Sequence, residues 1–291
     1  MKTLADLQVE KPEFWEKAWE EAKKEAFSRR KRKSLQESIA HWNKKAARFS
    51  KNVGGERGKK RVERVFIWLQ KQGVNFDGLS VLDIGAGPGA FALGFAERVR
   101  EVVALEPAGA MVAYLEEQIA RKKIDNVRII QDTWEEVNLE KQNLKKQFDL
   151  VFASMSPGIN NWETINKALQ CTRKYCFISG FAGRRQNNAL AELWQSLYGE
   201  KPPAWSISML YYLNLLYTKG FAMNVEIWEE NRQHESKPEE AVSILKEELK
   251  RYDLEEFPSD EQIRFFVEDR MENGIFRHEY QSRMGQVLVK L

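Results

Sequence analysis

The sequence predicts an α/β protein: a doubly wound, mostly parallel sheet, preceded by a helical extension and carrying a helical insertion before its last strand. Three observations predict it. Short apolar runs alternate with helical patterns from residue 80 onward, at the interval of βαβ units. The first of those runs ends in a glycine turn, Gly85-Ala86-Gly87-Pro88-Gly89, where a strand gives way to a helix. The chain has 291 residues, 43% hydrophobic and 31% charged, enough to bury a sizeable core beneath a solvated surface.

Pro12 opens a helical pattern in which Phe14, Trp15, Ala18, Trp19, Ala22 and Ala26 repeat among charges. A basic run, Arg29 to Lys33, follows, and a second helix is expected over Ser34 to Phe49. Asn52 to Lys60, rich in glycine and charge, reads as a loop, and Arg61 to Gln72 as a helix closed by Gly73. Five strands are then expected, over Ser80–Ile84, Glu101–Glu106, Val127–Gln131, Phe148–Ser154 and Tyr175–Gly180, with helices at Phe91–Val99 and Ala110–Lys122. Further helices are expected at Asn187–Tyr198 and Ile207–Lys219, and two last strands at Phe221–Trp228 and Gln286–Leu291. Two charged amphipathic segments, Glu239–Tyr252 and Ser259–Glu272, lie between those strands and read as an inserted helical subdomain. The expected organisation is an extension over 1–60 and a domain over 61–291, with the insertion at about 237–272.

Composition excludes several classes. No stretch approaches the ~20 apolar residues of a membrane span. Met1 to Glu10 lacks the apolar centre of a secretory signal, so a cytoplasmic address is expected. The two cysteines, Cys171 and Cys176, have no metal-ligand spacing around them and read as buried thiols, so no metal is expected. The net charge of +3 hides an asymmetry, roughly +9 over residues 1–64 and roughly −9 over 226–272. Solvated helical faces account for it most simply; a basic arm for an anionic partner is the alternative.

The glycine turn carries the chemistry. Glycines there let the backbone bend and let a ligand approach, and the following helix offers free N–H groups. The run also satisfies a dinucleotide fingerprint, G-x-G-x-x-A, with Glu106 at the expected distance for a ribose. Asp83 tips the choice. Two residues before the first glycine, its carboxylate suits an ammonium group and would repel a diphosphate. After the third strand, Asp132-Thr133-Trp134 sets an acceptor beside an aromatic ring, which suits an adenine.

As a set, Val81 to Gly89, Val103 to Pro107, Gln131 to Trp134 and Phe148 to Ala153 resemble the class I S-adenosylmethionine (SAM)-dependent methyltransferases, over residues 61–228 and the last strand. That resemblance implies a Rossmann-like sheet of seven strands with the last antiparallel. It implies SAM as cofactor and S-adenosylhomocysteine as product. It places Gly85, Ala86, Gly87 and Gly89 along the methionyl portion and Asp83 near its amino group. Glu106, followed by Pro107, would bind the ribose, Met111 would pack on adenine, and Asp132, with Thr133 and Trp134, would receive its amino group. The segment Trp42 to Phe49 is similar to the lead of small-molecule members, with Asn43 where they carry Asp.

Methyl transfer from a sulfonium needs alignment above all, worth ~7–11 kcal/mol, and a base only if the acceptor must lose a proton. The fourth strand runs out at Ser154-Met155-Ser156-Pro157-Gly158, the acceptor-facing position by resemblance. Family members that methylate planar amino groups carry an Asn/Asp-Pro-Pro-aromatic motif there, which this chain lacks. Ser154 and Ser156 are candidates to orient a polar acceptor, and His41 beside Trp42 is the candidate base; His234 and His278 are weaker. Trp162, Trp205, Tyr211 and Tyr212 are candidate pocket walls or core aromatics. The expected acceptor is a small molecule. The alternatives are an RNA or protein acceptor met by the basic N-terminal segment, a SAM-binding regulatory subunit, and a dehydrogenase.

Overall fold

A computed structural model describes residues 8–27, 34–203 and 207–291. The run Arg29 to Lys33 and Trp205 lie outside those residues. Within them the chain builds one seven-stranded sheet in the order β3-β2-β1-β4-β5-β7-β6. The strands are β1 (Ser80–Ile84), β2 (Glu101–Leu105), β3 (Val127–Ile130), β4 (Phe148–Ser154), β5 (Thr172–Asn187), β6 (Ala222–Ser236) and β7 (Phe276–Lys290). β1 pairs in parallel with β2 and with β4; β2 with β3 and β4 with β5 are also parallel. From β1 the chain steps outward to β2 and β3, then returns to β4 on the other flank. That reversal opens a crevice beyond the carboxyl ends of β1 and β4, where open α/β sheets hold ligands. β1 is buried throughout, as a central strand covered on both faces must be.

The helices are α1 (Pro12–Phe27), α2 (Leu35–Gly54), α3 (Glu56–Lys71), α4 (Ala90–Ala96), α5 (Gly109–Lys122), α6 (Trp162–Cys171), α7 (Asn188–Tyr198), α8 (Leu210–Thr218), α9 (Pro238–Leu249) and α10 (Asp260–Asp269). The chain divides into two compact units. The first comprises Met1–Arg32, Phe181–Asn214 and Ile227–Gly285; the second comprises Lys33–Gly180, Leu215–Glu226 and Gln286–Leu291. Helix α2, ahead of the boundary drawn at residue 60 from sequence, falls in the second.

The second unit has an aromatic core. Phe152 of β4 stacks on Phe177 of β5 at 4.5 Å between ring centres, and Phe66 of α3 meets Phe95 of α4 edge-on at 4.8 Å. Burying each such ring contributes ~1.5–3 kcal/mol, which fixes α3 and α4 against the sheet. In the first unit, Leu193 and Trp194 of α7 pack with Leu245 and Leu249 of α9 and Ile263 and Phe266 of α10. Cys171 and Cys176 are buried and free, and burial pushes both thiols up to about 12.

Two sequence expectations are corrected. The loop expected over Asn52–Lys60 is mostly helix: α2 runs to Gly54 and α3 starts at Glu56, with extended Gly55 as the break. Glutamate, arginine and lysine favour helix strongly enough to outweigh the glycines around them. Gly58 serves close approach instead, since a β-carbon there would stand 1.9 Å from the Val53 carbonyl oxygen. The last three strands are also far longer than expected. The added length of β6, Asn231-Arg232-Gln233-His234-Glu235, is wholly polar, so no apolar alternation marks it.

Candidate active site

The site is built entirely within the second unit. β1 delivers Asp83 to the crevice and ends in the glycine loop. Gly85 and Ala86 both donate their N–H to the Leu105 carbonyl, at 2.8 and 3.1 Å, which ties the bend to the end of β2. Gly85 has φ 74°, a left-handed conformation that costs a side-chain-bearing residue ~1–2 kcal/mol. Gly89, at φ 88°, opens α4.

Glu106, just past β2, holds the loop from the other side. One carboxylate oxygen accepts from the Gly87 N–H at 2.8 Å and the other from the Ala108 N–H at 2.9 Å, across half-buried Pro107. Burial pushes Glu106 above the usual carboxylate range, and the two amides oppose that. Asp83 is 3% exposed, and its Oδ2 is buried without a hydrogen-bond partner. Burial, then the nearby Glu106, pushes Asp83 up to about 7, against the pull of the Ala92 amide and the Arg61 charge. A buried acceptor with no donor is costly, by ~1–3 kcal/mol or more for a charged group. A cation set beside Asp83 would supply the partner this oxygen lacks.

The strand-end loop after β4 lies against the glycine loop. A β-carbon on Gly85 would stand 2.5 Å from Ser156 Oγ, so only glycine admits this contact. Met155, between Ser154 and Ser156, has φ 56°, left-handed backbone that a bulky residue rarely adopts. On its far side the loop meets Trp134, whose Cβ is 2.9 Å from where a Gly158 β-carbon would be. Trp134 is 2% exposed and donates its indole N–H to the Thr164 carbonyl at 3.0 Å, so it stands as packing behind the loop. Asp132 is half-buried and accepts the Thr133 N–H at 2.7 Å; Thr133 Oγ1 accepts the Glu136 N–H at 3.3 Å.

Helix α2 carries the segment Trp42 to Phe49 and His41, marked in the sequence, and α3 brings Arg61, which no motif marked. Asn43 of α2 accepts the Ala110 N–H at 2.9 Å, capping the start of α5. Ala46, with Trp42 and Phe49, packs on Ala108 and Met111, so Met111 is core, 2% exposed. Phe49 is the atom group nearest a β-carbon on Gly87, at 3.8 Å. His41 is half-buried on α2, its ring edge-on to Trp42 at 5.9 Å. From α3, Arg61 donates through Nη2 to Ser154 Oγ at 2.9 Å, and Ser154 Oγ shares a hydrogen bond with Ser179 Oγ at 3.0 Å. Trp162 stands with Lys219 4.4 Å above its ring. In the first unit Tyr212 is 7% exposed beside Trp19, and His278 is buried on β7, stacked on His234 at 5.3 Å.

Residues 81–176 match a family model described as a methyltransferase domain. The chain is 27% identical over 193 residues to an uncharacterized protein of Haemophilus influenzae, covering 65% of this chain and 66% of that one. It is 35% identical over 85 residues to a Methanosphaera stadtmanae protein named "Probable ribosomal RNA small subunit methyltransferase A", covering 29% of each. The matches thus span less than two thirds of these relatives. Among solved structures, the YcgJ protein of Bacillus subtilis is similar, with a TM-score of 0.51 and 17% identity, over 77% of this chain and 96% of that one. That likeness is one of fold.

Proposed function

We propose that this chain is a class I, SAM-dependent methyltransferase that transfers the methyl group of SAM by in-line displacement to a small-molecule acceptor; the match of residues 81–176 to a methyltransferase-domain model and the sheet order support this reading. The observation that carries this reading is Asp83: a buried carboxyl group with an unpartnered oxygen, two residues before a loop of left-handed glycines. An amino-acid tail supplies the ammonium that Asp83 lacks. A diphosphate would set negative charge against both Asp83 and Glu106.

The remaining residues fit the same ligand. Each oxygen of Glu106 accepts one amide, and a carboxylate has about four acceptor positions, so ribose hydroxyls add to the amides. Gly85, Ala86, Gly87 and Gly89 line the methionyl path. Asp132 and Thr133 offer the adenine edge; Met111 and Trp134 support that wall from behind. When bound, SAM supplies a sulfonium already activated for displacement. The chain's own part is to fix both reactants and exclude water. Ser156, pressed on Gly85, orients the acceptor beside the tail. His41 is the candidate base for acceptors that must lose a proton. The Ser156-Pro157-Gly158 run after β4, in place of an Asn/Asp-Pro-Pro-aromatic motif, favours a compact acceptor over a planar nucleobase amine.

Calorimetric titration with SAM, S-adenosylhomocysteine and NAD tests the reading: the first two bind and NAD does not. Tight NAD binding would replace it with a dinucleotide enzyme.

One observation favours a second reading. Lys44, Lys45, Arg48 and Lys51 of α2 and Arg57, Lys59 and Lys60 of α3 are all exposed, a basic surface on two successive helices. Such a surface suits a nucleic-acid backbone. Binding of bulk tRNA that falls steeply as salt rises would establish it; no binding at low salt would remove it.

A further inference from the structure

The reading above leaves one charge of the methionyl tail unmatched. Asp83 meets the ammonium, but the tail also carries a carboxylate, and it must lie near two protein carboxylates, Asp83 and Glu106. Helix α4 is only seven residues long, so its N-terminus offers little opposing field.

Arg61 is stationed there. Its Nη2 donates to Ser154 Oγ at the tip of β4, and that hydroxyl is in turn bonded to Ser179, its register partner in the middle of β5. Its guanidinium lies 5.2 Å from the ring centre of Phe91, the second residue of α4. It is close enough to Asp83 for its charge to favour the ionised carboxylate. The residue as a whole is exposed.

We propose that Arg61 receives the α-carboxylate of the cofactor, so that Asp83 and Arg61 grip the two charges of one amino-acid head across the ends of β1 and β4. The planar fork of a guanidinium matches a carboxylate with two parallel hydrogen bonds, which an ammonium cannot reproduce. Ser154 and Ser179 are positioning residues. They hold the guanidinium before the ligand arrives and so lower the ordering cost of binding. This assignment rests on the SAM reading of the site.

The test is calorimetry on wild type, Arg61→Met, Arg61→Lys and Ser154→Ala with two probes. S-adenosylhomocysteine has the amino-acid head; 5′-methylthioadenosine has the same nucleoside and sulfur without it. Arg61→Met is expected to weaken S-adenosylhomocysteine about 10–100-fold, the range for hydrogen bonds to charged groups, and to leave 5′-methylthioadenosine within about twofold. Arg61→Lys recovers part of the loss, and Ser154→Ala loses a few-fold on the first probe alone. Unchanged binding of S-adenosylhomocysteine by Arg61→Met overturns the assignment while leaving the SAM reading intact. Equal weakening of both probes also overturns it, because a merely structural role would act on both. Failure of wild type to bind either probe overturns the SAM reading itself.

Discussion

At the scale of single residues, Asp83 sets the site's behaviour. Its pKa of about 7 arises first from burial and then from Glu106. Binding an ammonium requires the ionised form, so binding releases a proton. Affinity for S-adenosylhomocysteine is therefore expected to rise from pH 6 to pH 7.5 and then level off, with proton release measurable by calorimetry in buffers of different ionisation enthalpy. Folding has the opposite sign: the folded state holds this proton between about 4 and about 7 while the unfolded state does not, so the stability it contributes falls as pH rises through that window. Asp83→Asn should remove the pH dependence of binding and cost about 10–100-fold in affinity, read by the same titration. Gly85→Ala should abolish binding and lower the thermal midpoint, because left-handed backbone and the Ser156 contact both reject a β-carbon. Asp83, the glycines and Glu106 were legible in the sequence because their spacing along one strand–turn–helix unit is itself the constraint. Arg61 was not, since it reaches Ser154 across 93 residues and no local pattern marks it. Met111 and Trp134 illustrate the converse. The resemblance suggested Met111 and the neighbouring Asp132 suggested Trp134 as ligand walls, and both are 2% exposed.

At the scale of elements, α2 matters most. It has a capping box at Ser34 and Glu37, then spends Asn43 on another helix, satisfying an amide at the start of α5. Four amides at a helix start lack intrahelical partners, and a side-chain acceptor there is worth about 1 kcal/mol. Asn43→Ala should therefore lower the thermal midpoint by a few degrees, while Asn43→Asp should hold or raise it through the α5 dipole. Thermal unfolding of both variants checks this. The short inner strands were readable as apolar runs because both faces are covered. The outer length of β6 carries exposed polar residues, and sequence periodicity does not separate these from loop.

At the scale of the molecule, the first unit carries an ionisable group with no role in the site. His278 of β7 is 4% exposed, and neither ring nitrogen has a partner. Burial and the stacked His234 hold its pKa below the ordinary 6.5, opposed by Glu248 and Glu240 of α9. Glu248 is already engaged by Tyr280 and Asn187. The unfolded chain therefore takes up this proton first, and the stability is present above pH 6.5 and lost as pH falls below it. The drop in thermal midpoint between pH 7.5 and 5.5 should be smaller in His278→Phe than in wild type.

The central claim is that the crevice at β1 is shaped for an amino-acid tail joined to a nucleoside. A crystal structure with S-adenosylhomocysteine soaked in tests it most directly. The account predicts the ligand's ammonium within hydrogen-bond reach of Asp83 Oδ2 and its ribose hydroxyls on Glu106. An empty crevice at saturating ligand, or the tail bound away from Asp83, would contradict it.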